Sequence, residues 1–218
     1  MSTLSGPMLA PLSGAEPKHL VVLLHGFGSD GADLIGLAPH FQPLLPDALF
    51  VAPDAPQTVP GYPSGFQWFA LNYDSDRVAN RQHGLPVARP VLVGFLNQLW
   101  EQTGLSAKDT VLIGFSQGAM MALHVGLSLP EALLGVVAFS GAFEPSANFG
   151  DVPKAPVCIV HGDQDQVVPA YLGDAAAAGL RAAGYDVRHY VARGVGHGIS
   201  PDGLAFASDF VRDVASIA

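Results

Sequence analysis

The sequence is poor in cysteine, in positive charge and in long hydrophobic runs. Cys158 is the one cysteine among 218 residues, so no internal disulfide can form, which suits a reducing compartment. It sits in the apolar run Val157-Cys158-Ile159-Val160 and reads as a small buried hydrophobe rather than a reactive thiol. Lys and Arg number 10 against 19 Asp and Glu, a formal charge of −9, and the ten bases are scattered. That balance argues against nucleic acid and anionic membranes as partners, and the acidity reads as a solvated surface. No apolar run approaches the ~18 uninterrupted residues of a membrane span, so no stable membrane insertion is expected. Residues 1–15 carry no basic stretch ahead of an apolar one, unlike a secretory signal. The expectation is a soluble, cytoplasmic protein.

What the chain does have is apolar mass. It is 49% hydrophobic and 13% charged, too apolar and too weakly charged for disorder. Its length suits one domain, residues 1–218, with one core. Short aliphatic runs at 20–24, 49–52, 110–113, 134–139 and 156–160 read as strands buried on both faces. Between them lie helical patterns: a weak one at 33–45, limited by Pro39 and Pro43, a long one at 76–100, and others at 117–129, 170–183 and 204–217. Pro86 and Pro90 predict that the long helix becomes regular only after residue 90. Alternation of strand and helix predicts an α/β fold with a mostly parallel central sheet and helices on both faces. The stretch 57–76, with Pro60, Gly61, Pro63 and Gly65 followed by Phe66, Trp68, Phe69 and Tyr73, reads as a long loop of the kind that often carries function.

The chemistry is concentrated after the strand at 110–113. There Gly114-Phe115-Ser116-Gln117-Gly118 leads straight into a helix, the strand, G-x-S-x-G, helix order that lifts a serine hydroxyl above a sheet edge. The turn is so tight that glycines must flank the serine, and the helix amides beyond it attract negative charge. The competing reading is a glycine-lined turn with an N-cap serine. A serine nucleophile needs a base, and the base needs an orienting acid, supplied in the chain order serine, acid, histidine. The segment His161-Gly162-Asp163-Gln164-Asp165-Gln166-Val167-Val168-Pro169 offers two acids. Position favours Asp165 as the catalytic one and Asp163 as the residue that shapes the turn. His197, between glycines after a strand at 187–192, is the candidate base. His25 and His161 read as loop-shaping, and His124 as a packing residue inside a helix. The oxyanion donors fall on the amides of Gln117, next to the serine, and Phe27, in the glycine-rich loop after the first strand. That loop lacks the G-x-x-x-x-G-K-[ST] and G-x-G-x-x-G patterns of nucleotide cradles.

Leu23-Leu24-His25-Gly26-Phe27-Gly28, Gly114-Phe115-Ser116-Gln117-Gly118-Ala119, the segment 161–169 and Gly196-His197 together resemble the phospholipase/carboxylesterase family, which includes the acyl-protein thioesterases. The likeness runs over most of the chain. It implies an α/β-hydrolase fold without a large cap domain and hydrolysis of carboxylic or thio esters with no metal or cofactor. It carries nucleophile, acid and base to Ser116, Asp165 and His197, and the oxyanion donors to Phe27 and Gln117. Two departures bear on specificity. Phe27 stands where the family often has Leu, and Gln67-Trp68-Phe69-Ala70-Leu71 lacks the acid that often follows the family's Trp-Phe pair. Trp68, Phe69 and Val167 are assigned to substrate binding. The expected activity is a carboxylesterase for short- to medium-chain acyl esters. An acyl-protein thioesterase or lysophospholipase is the alternative, and a hydrolase-fold receptor for a small ligand is the non-enzymatic one. The expected partner is a small acyl ester or thioester. Members of the family are often dimers, so the resemblance admits a homodimer.

Overall fold

Strands that are apolar on both faces need a helical layer on each side. The computed structural model describes residues 4–71, 76–146 and 149–216. In chain order the elements are β1 (Met8–Leu9), β2 (His19–Leu24), α1 (Gly31–Leu34), α2 (Ala38–Phe41), β3 (Ala48–Val51), β4 (Gln57–Val59), β5 (Tyr62–Gln67), α3 (Arg77–Thr103), β6 (Thr110–Phe115), α4 (Gln117–Gly126), β7 (Gly135–Phe139), β8 (Val157–Gly162), α5 (Tyr171–Ala182), β9 (Val187–Ala192) and α6 (Pro201–Ala215). The main sheet runs β1-β3-β2-β6-β7-β8-β9, parallel except for β1 at its edge.

Side-chain alternation divides the core into two layers. Leu20, Val22 and Leu24 of β2 join Leu112, Val136 and Ile159 beneath α3, α4 and α5. Val21 and Leu23 join Val111, Ile113, Val137 and Cys158 against α1, α2 and α6. Burial pushes the Cys158 thiol up to about 12, so it stays protonated and inert. Because β2, β6, β7, β8 and β9 are parallel, their C-terminal ends share one edge of the sheet, where α/β folds bind ligands. No helix among the described residues is long and apolar enough to cross a membrane.

Two expectations are corrected. The long helix does not wait for Pro90. α3 starts at Arg77, its first turn capped by the Asp76 carboxylate on the Ala79 amide, and continues through both prolines to Thr103. Pro86 and Pro90 are four residues apart on the exposed side, so the carbonyls they leave without helical partners open to solvent and not into the core. Burial of Leu85, Ala88, Leu92, Phe95, Leu96 and Leu99 on the opposite face holds the helix together. The stretch 57–76 is also not plain loop. β4 and β5 pair antiparallel with an irregularity at Thr58/Val59, and the Gly28 amide donates to the Phe66 carbonyl. Tyr73 and Ile217 lie outside the described residues.

Candidate active site

The site begins with a steric constraint. Ser116 has φ 53° and ψ −114°, a region that non-glycine residues avoid and that costs of order 1–3 kcal/mol. A Cβ at Gly114 would overlap the Gly118 carbonyl, and one at Gly118 would overlap the Leu24 carbonyl, so both flanking positions require glycine. The Ser116 amide donates to the Phe139 carbonyl at 2.9 Å, which ties the turn to β7. The side chain makes no N-cap hydrogen bond to α4. Its Oγ lies 2.9 Å from His197 Nε2 instead.

Asp165 stands three residues past the end of β8. Its Oδ1 accepts from the Val167 and Val168 amides, each at 2.8 Å, and its Oδ2 lies 2.7 Å from His197 Nδ1. Burial pushes the carboxyl pKa up. The hydrogen bonds from His197 and the Val168 amide outweigh that and hold it below the usual carboxylate range. A charged carboxylate at Nδ1 places the proton of neutral His197 there and leaves Nε2 as an acceptor facing Ser116. The loop carrying His197 is bound to the loop carrying the acid. The Asp163 amide donates to Ala192, its Oδ1 accepts from the Gly194 amide at 2.7 Å, and the Gln164 amide donates to Val195. Gly162 permits this approach, since a Cβ there would overlap the Val195 carbonyl.

The glycine-rich loop after β2 is anchored from beneath. The Ala55 amide donates to His25 Nε2 at 2.9 Å, so the ring carries its proton on Nδ1, 2.7 Å from the Gly26 carbonyl. Burial lowers the His25 pKa and keeps the ring neutral. Gln117 opens α4, where the first amides have no intrahelical partner. Phe27 and Gln117 both border a cavity of about 540 Å³ that also reaches Ser116, His197, Phe69 and Val167.

Trp68 is corrected. It does not border that cavity. It is 1% exposed, and its Nε1 donates to the His25 carbonyl at 2.9 Å, beneath the loop. A large aromatic is drawn to the core by its area, and its one N–H finds a carbonyl there. Three further contributors escaped the sequence reading. The Gln117 side chain accepts from the Trp68 amide and donates to the Phe69 carbonyl, both at 2.8 Å. The Phe115 ring packs 4.9 Å from the His197 ring. His161, buried, places Nε2 2.7 Å from the Val168 carbonyl and 3.3 Å from Asp165 Oδ2. Its place at the head of the acid segment was the available signal, but contact across a loop has no periodicity to reveal it. Among the described residues, no group of three or more His, Cys, Asp or Glu is arranged to hold a metal ion.

Residues 12–215 match the family profile described as Phospholipase/Carboxylesterase. Esterase YpfH of Escherichia coli is 31% identical over 195 residues, 89% of this chain and 82% of that protein. Acyl-protein thioesterase 1 of Gibberella zeae is 27% identical, over 96% of this chain and 97% of that one. The crystal structure of esterase PE8 superposes with a TM-score of 0.93 at 48% identity, covering 98% of this chain and all of the other (100%). Fold and likeness together define the class: an α/β hydrolase, a serine hydrolase acting on esters. Within that class the chain belongs to the phospholipase/carboxylesterase family.

Proposed function

We propose that the protein is a carboxylesterase for short- to medium-chain acyl esters that works through an acyl-enzyme on Ser116, with the whole chain forming one domain. The observation that carries this is the continuous relay from Ser116 Oγ to His197 Nε2, at 2.9 Å, and from His197 Nδ1 to Asp165 Oδ2, at 2.7 Å. Ser116 Oγ attacks the ester carbonyl carbon while His197 Nε2 takes the hydroxyl proton. The amides of Phe27 and Gln117 receive the charge that develops on the carbonyl oxygen. Collapse breaks the bond to the alcohol, which leaves with the proton from His197. Water then attacks the acyl-serine with His197 again as base, releasing the acid and restoring the serine. Asp165 holds the Nδ1 tautomer and stabilises the imidazolium formed in both halves.

Ser116→Ala is expected to lower kcat on p-nitrophenyl butyrate by roughly four to six powers of ten with the fold retained. A fluorophosphonate probe is expected to label Ser116 in the parent and not in the variant. Unchanged hydrolysis by Ser116→Ala would sink the proposal. A thioesterase reading is favoured by one observation, the near full-length likeness to acyl-protein thioesterase 1. Matched oxygen and thio esters over an acyl-length series separate the two, with faster turnover of the oxygen ester supporting the carboxylesterase.

A further inference from the structure

The cavity beside Ser116 is uneven in charge. Phe69, Leu71, Met120 and Leu172 form apolar walls. Apart from His197, the ionisable side chains bordering it among the described residues are Arg77 and Arg81, and no carboxylate is among them. This is notable in a chain of net charge −9. The two arginines are four residues apart on α3 and so share a face. Arg81 is 6% exposed, and its Nε and Nη2 both meet one oxygen of Glu144, at 2.9 and 2.8 Å. A guanidinium has five N–H donors, so one carboxylate oxygen does not exhaust it. Arg77 is exposed, and its Nη1 donates to the carbonyl of Val167, in the loop after β8, which also borders the cavity. A neutral carbonyl is a weaker partner for a guanidinium than a carboxylate or phosphate, which it meets through charge-assisted, often bidentate bonds. Asp76, the acid beside Arg77 in the chain, uses Oδ1 to cap α3. An ion pair that only fastens α3 to Glu144 accounts for Arg81 but not for a second guanidinium on the same wall.

We propose that the natural substrate is an ester bearing an anionic group, a carboxylate separated from the scissile carbonyl by a short apolar stem, with the anion seated between Arg77 and Arg81. The inference rests on the reading of Ser116 as the esterolytic nucleophile and names the substrate class for that site. The entering anion displaces the Val167 carbonyl from Arg77, and the stem lies along the apolar walls. The hydrolytic steps are unchanged.

The test compares near-isosteric pairs by acid release in a pH-stat. Monomethyl glutarate against methyl pentanoate puts the anion on the acyl side. Carboxymethyl butyrate against propyl butyrate puts it on the alcohol side. The parent is expected to prefer the anionic ester in one pair by about tenfold or more in kcat/KM, the scale of a charge-assisted hydrogen bond. The pair that responds identifies which side carries the anion. Arg77→Gln is expected to cut that preference several-fold. The double variant Arg81→Met with Glu144→Met, which removes both charges of the buried pair and leaves neither unpaired, is expected to do the same. Equal or better turnover of the neutral ester in both pairs overturns the proposal, as does a preference that neither variant changes. If no ester of the four is hydrolysed while a fluorophosphonate still labels Ser116, the anionic-ester proposal fails and the nucleophile stands. If labelling fails as well, both readings fall.

Discussion

Two imidazoles share one oxygen of Asp165. His197 Nδ1 lies 2.7 Å from Oδ2, and His161 Nε2 lies 3.3 Å from it. His161 Nε2 is closer to the Val168 carbonyl, at 2.7 Å, while the Val168 amide donates to Asp165 Oδ1. A carbonyl only accepts, so the His161 proton is on Nε2, and its buried Nδ1 has no hydrogen-bond partner among the described residues. His161 therefore closes a ring of contacts that fixes the carboxylate, a positioning role. His161→Leu leaves the buried Val168 carbonyl without its donor. It is expected to lower kcat by about tenfold, the scale of one unsatisfied buried acceptor, with KM little changed. His161→Gln, whose amide reaches a similar point, is expected to recover most of the loss. A uniform fall in both variants, accompanied by loss of thermal stability, would reduce His161 to a packing residue. His161 stands near the C-terminal end of β8 and Asp165 in the loop beyond it, and no regular period relates side chains across that junction, so sequence alone does not reveal their contact.

At the scale of elements, α3 decides more than its covering of the core. Gly84 lets the helix lie directly on Phe69, because a Cβ there would overlap the Phe69 ring and its Cβ atom. Phe69 borders the cavity and its carbonyl is held by Gln117, so the ring is wedged between α3 and the Ser116 turn. Gly84→Ala favours helix propensity by about 1 kcal/mol but must displace Phe69. The expected result is a raised KM and a changed acyl-length preference, with fluorophosphonate labelling of Ser116 retained. An unaltered acyl-length profile would show that the wall moves without consequence. Periodicity marked this region as helical. The start at Arg77 was hidden by Pro86 and Pro90, since local rules count the lost hydrogen bonds and not the burial of Leu85, Leu92 and Leu96 that outweighs them.

The whole molecule carries a pH dependence written in its buried and half-buried histidines. His19, His25, His124 and His189 each have a pKa lowered from the ordinary 6.5, chiefly by burial. The folded protein therefore binds fewer protons than the unfolded chain below that value. Their contribution to stability is full above the unfolded pKa and is lost as pH falls through the folded ones. The urea midpoint is expected to fall steadily between about pH 7.5 and pH 5, before carboxylates begin to protonate. A flat midpoint across that window would contradict the assignment. Asp165 acts in the same direction at lower pH, because its depressed pKa keeps it charged until the solution is more acid than ordinary carboxylates require.

The order Ser116, Asp165, His197 along the chain was legible without coordinates. Strand, Gly114-Phe115-Ser116-Gln117-Gly118, helix is a local steric statement, and the aliphatic runs state which segments are buried on both faces. Those features depend on neighbours in sequence, which is why the parallel sheet, the strained serine and the serine, acid, histidine order could be read directly. What only the tertiary structure decided was which side chains face the cavity and which lie beneath it. Trp68 and Phe69 are adjacent and both aromatic, yet the first supports the His25 loop and the second borders the cavity. The pairing of Arg81 with Glu144, 63 residues away, and the seat of Phe115 against His197 are of the same kind. Such contacts arise where separate strands and helices converge at one edge of the sheet, and no spacing within a single element encodes them.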